Sequence, residues 1–309
     1  MVVLVSTAQE ATKSIAVGAA LALAGSIAFS GKAIIVKLGY RYGVDAVTLL
    51  MLRMLLALPF FLLLSWWASR GKLPLTGKQW LQVIFLGFTG YYLASFLDFA
   101  GLQYITASLE RLILYLNPTI VLLLGRLVWG KKITRRQMGA FALSYAGVLL
   151  VFGHEVKLEG LNVGLGTALV FGSAVAYAVY LSYSGQLVQQ LGSLRLAGLA
   201  TSVACFFCIA QFALLRPLSV SHLLANVPAP VLWLSLLNAT ACTVAPVLMV
   251  MMAIERLGSA RTAQIGMVGP MATIFLGVLV LNEPMNLWII GGTVLVLGGV
   301  YLVSSKKAS

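Results

Sequence analysis

Long apolar runs recur from one end of the chain to the other, separated by short breaks rich in charged residues, Gly or Pro. A helix of about 20 apolar residues crosses a bilayer. Ten such spans are predicted, at 14–36, 46–68, 79–102, 108–129, 137–153, 163–187, 195–215, 231–254, 260–281 and 285–303. Hydrocarbon offers the backbone no water, so each span must pair its own N–H and C=O groups, and helices are expected despite the Val and Ile content. The pattern also repeats. Shifted by 152 positions, residues 102–152 align with 254–304 without a gap, and 12 of the 51 pairs are identical. Shared Leu and Val mean little in an apolar chain. The pairs Pro118/Pro270, Gly125/Gly277, Gly139/Gly291 and Gly147/Gly299 mean more, because these residues mark backbone geometry.

Weaker similarity reaches the start of each half: Gly18, Ala20, Leu21 and Ala28 match Gly166, Ala168, Leu169 and Ala176, with Phe29 opposite Tyr177. The chain therefore divides near the polar stretch 154–162 into two five-span repeats, 1–155 and 156–309. Five is odd, so the second repeat enters from the opposite side. The expected fold is an all-α integral membrane protein of ten transmembrane helices, built as two inverted five-helix repeats with a site between them.

Composition agrees. Of 309 residues, 61% are hydrophobic and 9% charged, which excludes a soluble domain with a large core. The net charge of +13 is a matter of topology. With the N-terminus inside, 13 Lys and Arg fall in inside segments and 5 in outside ones (Lys37, Arg41, Arg111, Lys157, Arg216). Both termini are expected to be cytoplasmic, in a multi-pass protein of the inner (plasma) membrane, with no nucleic-acid partner. The first span resembles a signal peptide, but its apolar length exceeds a typical signal core and its removal would break the five-plus-five pattern. Cys205, Cys208 and Cys242 all lie in spans and read as small packing residues.

Four constellations are candidates for function. Pro118 and Pro270, with Asn117 and Gly269 before them, are expected to kink their helices, free a carbonyl and line the path as bending points. Pro59 and Pro246 lack symmetric partners and read as packing. Lys32, Asp98, Glu110 and Arg111 fall near the outer ends of their spans, where snorkelling is cheap. They form either a salt-bridge cluster tying the first, third and fourth helices, or contacts to a substrate's charged groups or a proton. Arg53 and Arg126 read as loop or helix-end contacts. The third helix carries a stripe of Phe85, Phe88, Tyr92, Phe96 and Phe99, and the sixth a mixed stripe of Ser173, Tyr177, Tyr180 and Ser184. Hydroxyls in hydrocarbon need partners, so the tyrosine stripe is the better cavity signal. Ser26 and Ser30 form an i,i+4 pair on the first helix. With Tyr92, Asn117, Tyr177, Tyr180, Asn238, Thr243 and Gln264 they would make an uncharged, partly aromatic binding site. The glycines of the last helix of each half, Gly139, Gly147, Gly291, Gly292, Gly298 and Gly299, read as close-packing residues.

An enzyme reading lacks parts. His154 and His222 fall in predicted loops, no G-x-S-x-G turn occurs, and no span carries a metal-ligand cluster. No P-loop is present, and no selectivity-filter motif supports a channel. No catalytic residue, metal or cofactor is expected; the partners are a small-molecule substrate and the lipid bilayer, and oligomeric state is left open.

The stretches GLQYITASLERLILYLNPTIVLLLGRLVWGKKIT and IERLGSARTAQIGMVGPMATIFLGVLVLNEPMNLWIIGGTVLVLGGVYLV resemble the ends of the two repeats of the EamA family, in the drug/metabolite transporter superfamily. In that pattern small residues precede a helix with a midspan Pro, a short loop with an acid follows, and a Gly-rich helix ends the repeat. Glu283, Gly291 and Gly299 fit; Lys131 stands where the first copy would hold the acid. The resemblance implies a ten-helix inverted-repeat exporter of amino acids or other small metabolites, similar to bacterial exporters of aromatic and bulky amino acids. A weakly charged, aromatic-lined cavity suits neutral zwitterions with apolar side chains; hydrophobic cations or drugs are the alternative cargo.

Overall fold

The computed structural model describes residues 2–130, 132–159, 162–216, 227–257, 262, 265–266 and 268–304. The described residues form helices and no strand: α1 (Val2–Tyr40), α2 (Ala46–Ser69), α3 (Gly77–Gly101), α4 (Ala107–Trp129), α5 (Arg135–Glu159), α6 (Asn162–Leu191), α7 (Ser193–Leu215), α8 (Ala229–Leu257), α9 (269–281) and α10 (Leu287–Ser304). Eight are long and apolar enough to cross a membrane; α9 and α10 contribute shorter apolar stretches, Met271–Leu281 and Leu287–Leu302.

Helix boundaries follow local chemistry. The Asp45 carboxylate accepts from the Thr48 N–H at the start of α2, and Thr76 with Gln79 forms a reciprocal capping box on α3. Thr134 and Gln137 repeat that box on α5. Gly130 ends α4 in the left-handed region, at φ 64°, which only glycine adopts cheaply. One boundary differs from expectation: the anticipated polar link at 154–162 is helical through Glu159. His154 consequently lies within α5 rather than in a loop, with its ring stacked on Trp288 at 5.7 Å.

Among the described residues three wide π-helical turns interrupt the helices, at Gly87–Leu93 in α3, Thr240–Val244 in α8 and Gly277–Leu281 in α9. Such a turn holds an extra residue and rotates everything beyond it. This explains why the α3 aromatic stripe does not stay on one face: Phe85 is 45% exposed, whereas Phe99 is fully buried.

The core does not follow the two halves of the sequence. One buried cluster joins α1, α2, α3 and α7 through Ala33, Leu50, Met54, Phe99 and Cys205. Another joins α4, α5, α6, α9 and α10 through Ile113, Val151, Val170, Ile274 and Val296. The principal helix pairs are α5 with α10, α2 with α7, α1 with α8, and α3 with α6. Between α5 and α10 the backbones nearly touch. A Cβ on Gly147 would lie 2.6 Å from the Gly292 carbonyl, and one on Gly299 2.6 Å from the Ala140 carbonyl. Close packing through small residues is the means by which helices associate where water supplies no driving force.

Candidate functional site

The two proline positions do not kink continuous helices. In α4 the helix stops at Leu114, turns through Tyr115 and Leu116, and restarts as Asn117–Trp129 with Pro118 in its first turn. Proline is at home there, because first-turn N–H groups have no intrahelical partner. The carbonyl that an uninterrupted helix would have bonded to residue 118 is that of Leu114. It is not free: Asn117 Nδ2 donates to it at 2.7 Å. The expected path-lining carbonyl is thus satisfied within α4, and the Asn117 Oδ1 is buried without a partner.

The second break is satisfied differently. Helix Gly269–Leu276 likewise carries Pro270 in its first turn, and the carbonyl four residues before it belongs to Gly266. That carbonyl accepts from Ser26 Oγ at 2.8 Å and from the Tyr115 hydroxyl at 3.2 Å. Ser30 Oγ donates to the Gly269 carbonyl at 2.7 Å. Gly269 permits this approach, since a Cβ there would lie 2.8 Å from Ser26 Oγ. The two breaks therefore meet, with Tyr115 of one reaching the other and α1 filling the gap. Ser26 and Ser30, expected to face a substrate, spend their hydroxyls on the Gly266 and Gly269 carbonyls at and before the start of α9. Gln264 and the ring of Pro270 lie outside the described residues.

Beside the breaks lies a buried charged cluster. Lys32 Nζ of α1 is 2.6 Å from Asp98 Oδ2 of α3 and 3.9 Å from Glu110 Oε1 of α4. Arg111 Nε is 3.8 Å from Glu110 Oε2, and its Nη2 reaches the Phe29 carbonyl at 3.5 Å. The four side chains lie close enough to pair, but the acids do not snorkel outward as their positions near the span ends suggested: Asp98 and Glu110 are 1% and 0% exposed. Buried ions need both charge partners and hydrogen bonds. Asp98 has one short bond, while neither oxygen of Glu110 has a hydrogen bond.

Arg53 is a correction. It is not a loop or helix-end contact but is buried within α2, with Nε donating to Thr243 Oγ1 at 2.9 Å and the guanidinium 5.4 Å from the Phe99 ring centre. Thr243 in turn donates to the Asn238 carbonyl at 2.7 Å, across the wide turn of α8. Arg126, by contrast, is exposed in the last turn of α4, as expected.

Two acids escaped the sequence reading as helix caps. Glu283 accepts from the Ala107 N–H at 2.7 Å, the Ser108 N–H at 3.2 Å and Ser108 Oγ at 2.8 Å. Glu155 accepts from the Thr106 N–H and hydroxyl, and Thr106 itself caps α4 through the Leu109 N–H. Negative charge is favoured at a helix N-terminus, where N–H groups are unsatisfied. The sequence signal was present only in part: Thr106 is a capping residue type, but its acidic partners come from distant positions.

The aromatic candidates form two groups. Tyr177 and Tyr180 of α6 stack at 5.5 Å, and the Tyr180 hydroxyl lies 3.1 Å from that of Tyr91 on α3. Tyr92, one residue on, turns to Phe88, Phe96 and Phe207 instead. Ser173 is also occupied, donating to the Ala94 carbonyl at 2.7 Å.

The EamA-like transporter family model matches the chain twice, over residues 16–153 and 164–305. The chain belongs to this family. It is 30% identical over 305 residues to the uncharacterized transporter YcbK of Bacillus subtilis (strain 168), spanning 96% of this chain and 94% of that relative. An uncharacterized transporter of Archaeoglobus fulgidus is 26% identical, spanning 90% of this chain and 94% of its own length. A solved structure titled only "Crystal structure of protein" shares the fold with a TM-score of 0.60 and 16% identity, over 92% of this chain and 95% of its own. The EamA chain is thus a multi-pass membrane transporter, not an enzyme; its partners are a small-molecule substrate and the bilayer.

Proposed function

We propose that this EamA protein is a secondary carrier that exports small metabolites, foremost neutral and aromatic amino acids with broad specificity, by alternating access. In this reading ten helices form two inverted five-helix repeats, 1–155 and 156–309, with both termini cytoplasmic in the inner membrane of the cell. The observation that carries it is the meeting of the two proline breaks. Each repeat interrupts its fourth helix at the matched proline, and Tyr115 of one break bonds Gly266 of the other beside buried charges. Transporters of this build bind cargo at broken helices between repeats.

The packing supports the inverted arrangement. Exchanging α1 for α6, α2 for α7, α3 for α8, α4 for α9 and α5 for α10 turns the α1–α8 pair into α6–α3, and α1–α9 into α6–α4. All four pairs occur, and α2–α7 and α5–α10 map onto themselves. Any twofold relating the repeats requires this exchange; an odd number of helices per repeat, five, puts its axis in the membrane plane. The excess of Lys and Arg in the segments assigned to the inside supports the orientation. Amino-acid cargo is favoured by a chain that buries a cluster of both charge signs and, separately, a pair of stacked tyrosine rings within its helices.

Purified protein in liposomes, offered labelled amino acids with and without a pH gradient, tests the reading. Uptake of phenylalanine and methionine is the expected result. Transport of a hydrophobic cation such as methyl viologen, with no amino acid moved, would replace the cargo with the drug class.

A further inference from the structure

Around Asp98 and Glu110 the local cations outnumber the acids. Among the described residues these two carboxylates pair with Lys32 and Arg111 and leave Arg53 without an ion-pair partner. The other buried acids, Glu155 and Glu283, accept from Thr106, Ala107 and Ser108. Among the described residues no carboxylate lies within 4.0 Å of Arg53, whose nearest polar partner is a hydroxyl. An unpaired charge is expensive to bury, and natural interiors retain one only where something else completes it.

Arg53 is also held ready. Its Nε is anchored by Thr243, one face of the guanidinium lies over Phe99, and Nη1 is buried with no hydrogen-bond partner. Thr243 sits in the wide turn Thr240–Val244, a distortion frequent at functional sites. Through Thr243 the guanidinium is linked to Asn238, whose Oδ1 is likewise buried and unpartnered. A free donor and a free acceptor thus flank one hydrogen-bonded relay, both on residues less than 7% exposed (6% and 3%).

We propose that Arg53 is an anion site for the cargo: its Nη1 takes a carboxylate oxygen, and Asn238 Oδ1 accepts from an N–H of the same molecule. Guanidinium suits this task, because its fixed fork lets one nitrogen be anchored while another points at a carboxylate. The assignment rests on the carrier reading above and deepens it, placing the carboxylate at α2 and α8 rather than at Lys32 or Arg111.

The test measures thermal unfolding of the purified full-length protein in detergent, at constant ionic strength, with three probes: L-phenylalanine, L-phenylalaninamide and sodium formate. A ligand that binds the native state raises the midpoint in proportion to its affinity. The expected result is a rise with phenylalanine and formate, and binding of phenylalaninamide weaker by about tenfold or more, as loss of a charged hydrogen bond implies. Both rises should vanish in Arg53→Gln and shrink in Arg53→Lys. A rise with formate alone, lost in Arg53→Gln, supports the anion site and refutes the amino-acid cargo. Equal rises with phenylalanine and its amide overturn the site while sparing the cargo. No rise with either carboxylate overturns the site. If Arg53→Gln does not fold, the contrast between acid and amide in the wild type decides.

Discussion

Glu283 of the second repeat reaches the backbone N–H of Ala107 in the first at 2.7 Å, and so fixes the start of the helix that carries Glu110 and Arg111. Its other oxygen takes the Ser108 N–H and hydroxyl. The acid of the Leu-Asn-Glu-Pro stretch is therefore a clamp between repeats. Glu283→Gln should lower stability by about 2 kcal/mol, because an amide offers one acceptor where three donors converge. The loss is read as a lowered thermal midpoint in detergent. An unchanged midpoint would show that the clamp is not a stabilising contact.

Glu110 and Asp98 are predicted to behave differently under a pH gradient. Asp98 is held by Lys32 at 2.6 Å, whereas neither Glu110 oxygen is hydrogen-bonded. If transport is proton-coupled, Glu110→Gln should abolish stimulation by the gradient while exchange of labelled for unlabelled substrate continues. Asp98→Asn should instead impair folding, since it takes from the Lys32 ammonium its short ion pair and leaves only Glu110, at 3.9 Å. Wild-type flux that ignores the gradient would return both acids to a purely structural role.

The two helix breaks should respond unequally to loss of a side chain. Asn117→Ala leaves the Leu114 carbonyl without its donor and is expected to cost about 1–3 kcal/mol. Ser26→Ala should cost less, because Tyr115 still donates to Gly266. Ser26→Ala combined with Tyr115→Phe should exceed the sum of the single losses, as expected for neighbours that share an acceptor. Thermal unfolding of the four variants decides; strict additivity would mean that Gly266 finds another donor.

Gly90 and Tyr180 should act together on selectivity. A Cβ on Gly90 would lie 2.4 Å from the Tyr180 ring, so Gly90→Ala must displace that ring and with it the stack on Tyr177. Tyr180→Phe keeps the stack and removes the bond to Tyr91. In liposomes at matched incorporation, Tyr180→Phe should alter threonine uptake more than phenylalanine uptake. Gly90→Ala and Tyr177→Ala should depress phenylalanine and methionine most. Equal changes for all three substrates would assign the tyrosines to the scaffold.

How much of this was legible beforehand differs by element. The apolar runs predicted the helices well because partition into hydrocarbon depends on local composition, which a sequence states directly. The repeat was legible for a related reason: Pro118/Pro270 and the paired glycines mark backbone geometry in both halves, and the family match falls on both. The charged cluster was foreseen as a set, since charges in spans must find company.

Other features depended on packing. Whether Ser26 faces a cavity or the Gly266 carbonyl, 240 positions away, is decided by the rotation and depth of two helices. The wide turn at Gly87–Leu93 likewise shifts the rotation of α3 by a residue, which carries its aromatic stripe from an exposed face to the core. Arg53 read as a peripheral cation because its position near the start of α2 suggested an accessible end, yet α3 and α8 close over it. Hydrophobicity and the internal repeat thus determined, from the sequence by itself, that helices form and that their pattern occurs twice. Only the tertiary structure decided which buried donor meets which acceptor, because a hydrogen bond requires distance and direction between atoms that composition does not encode.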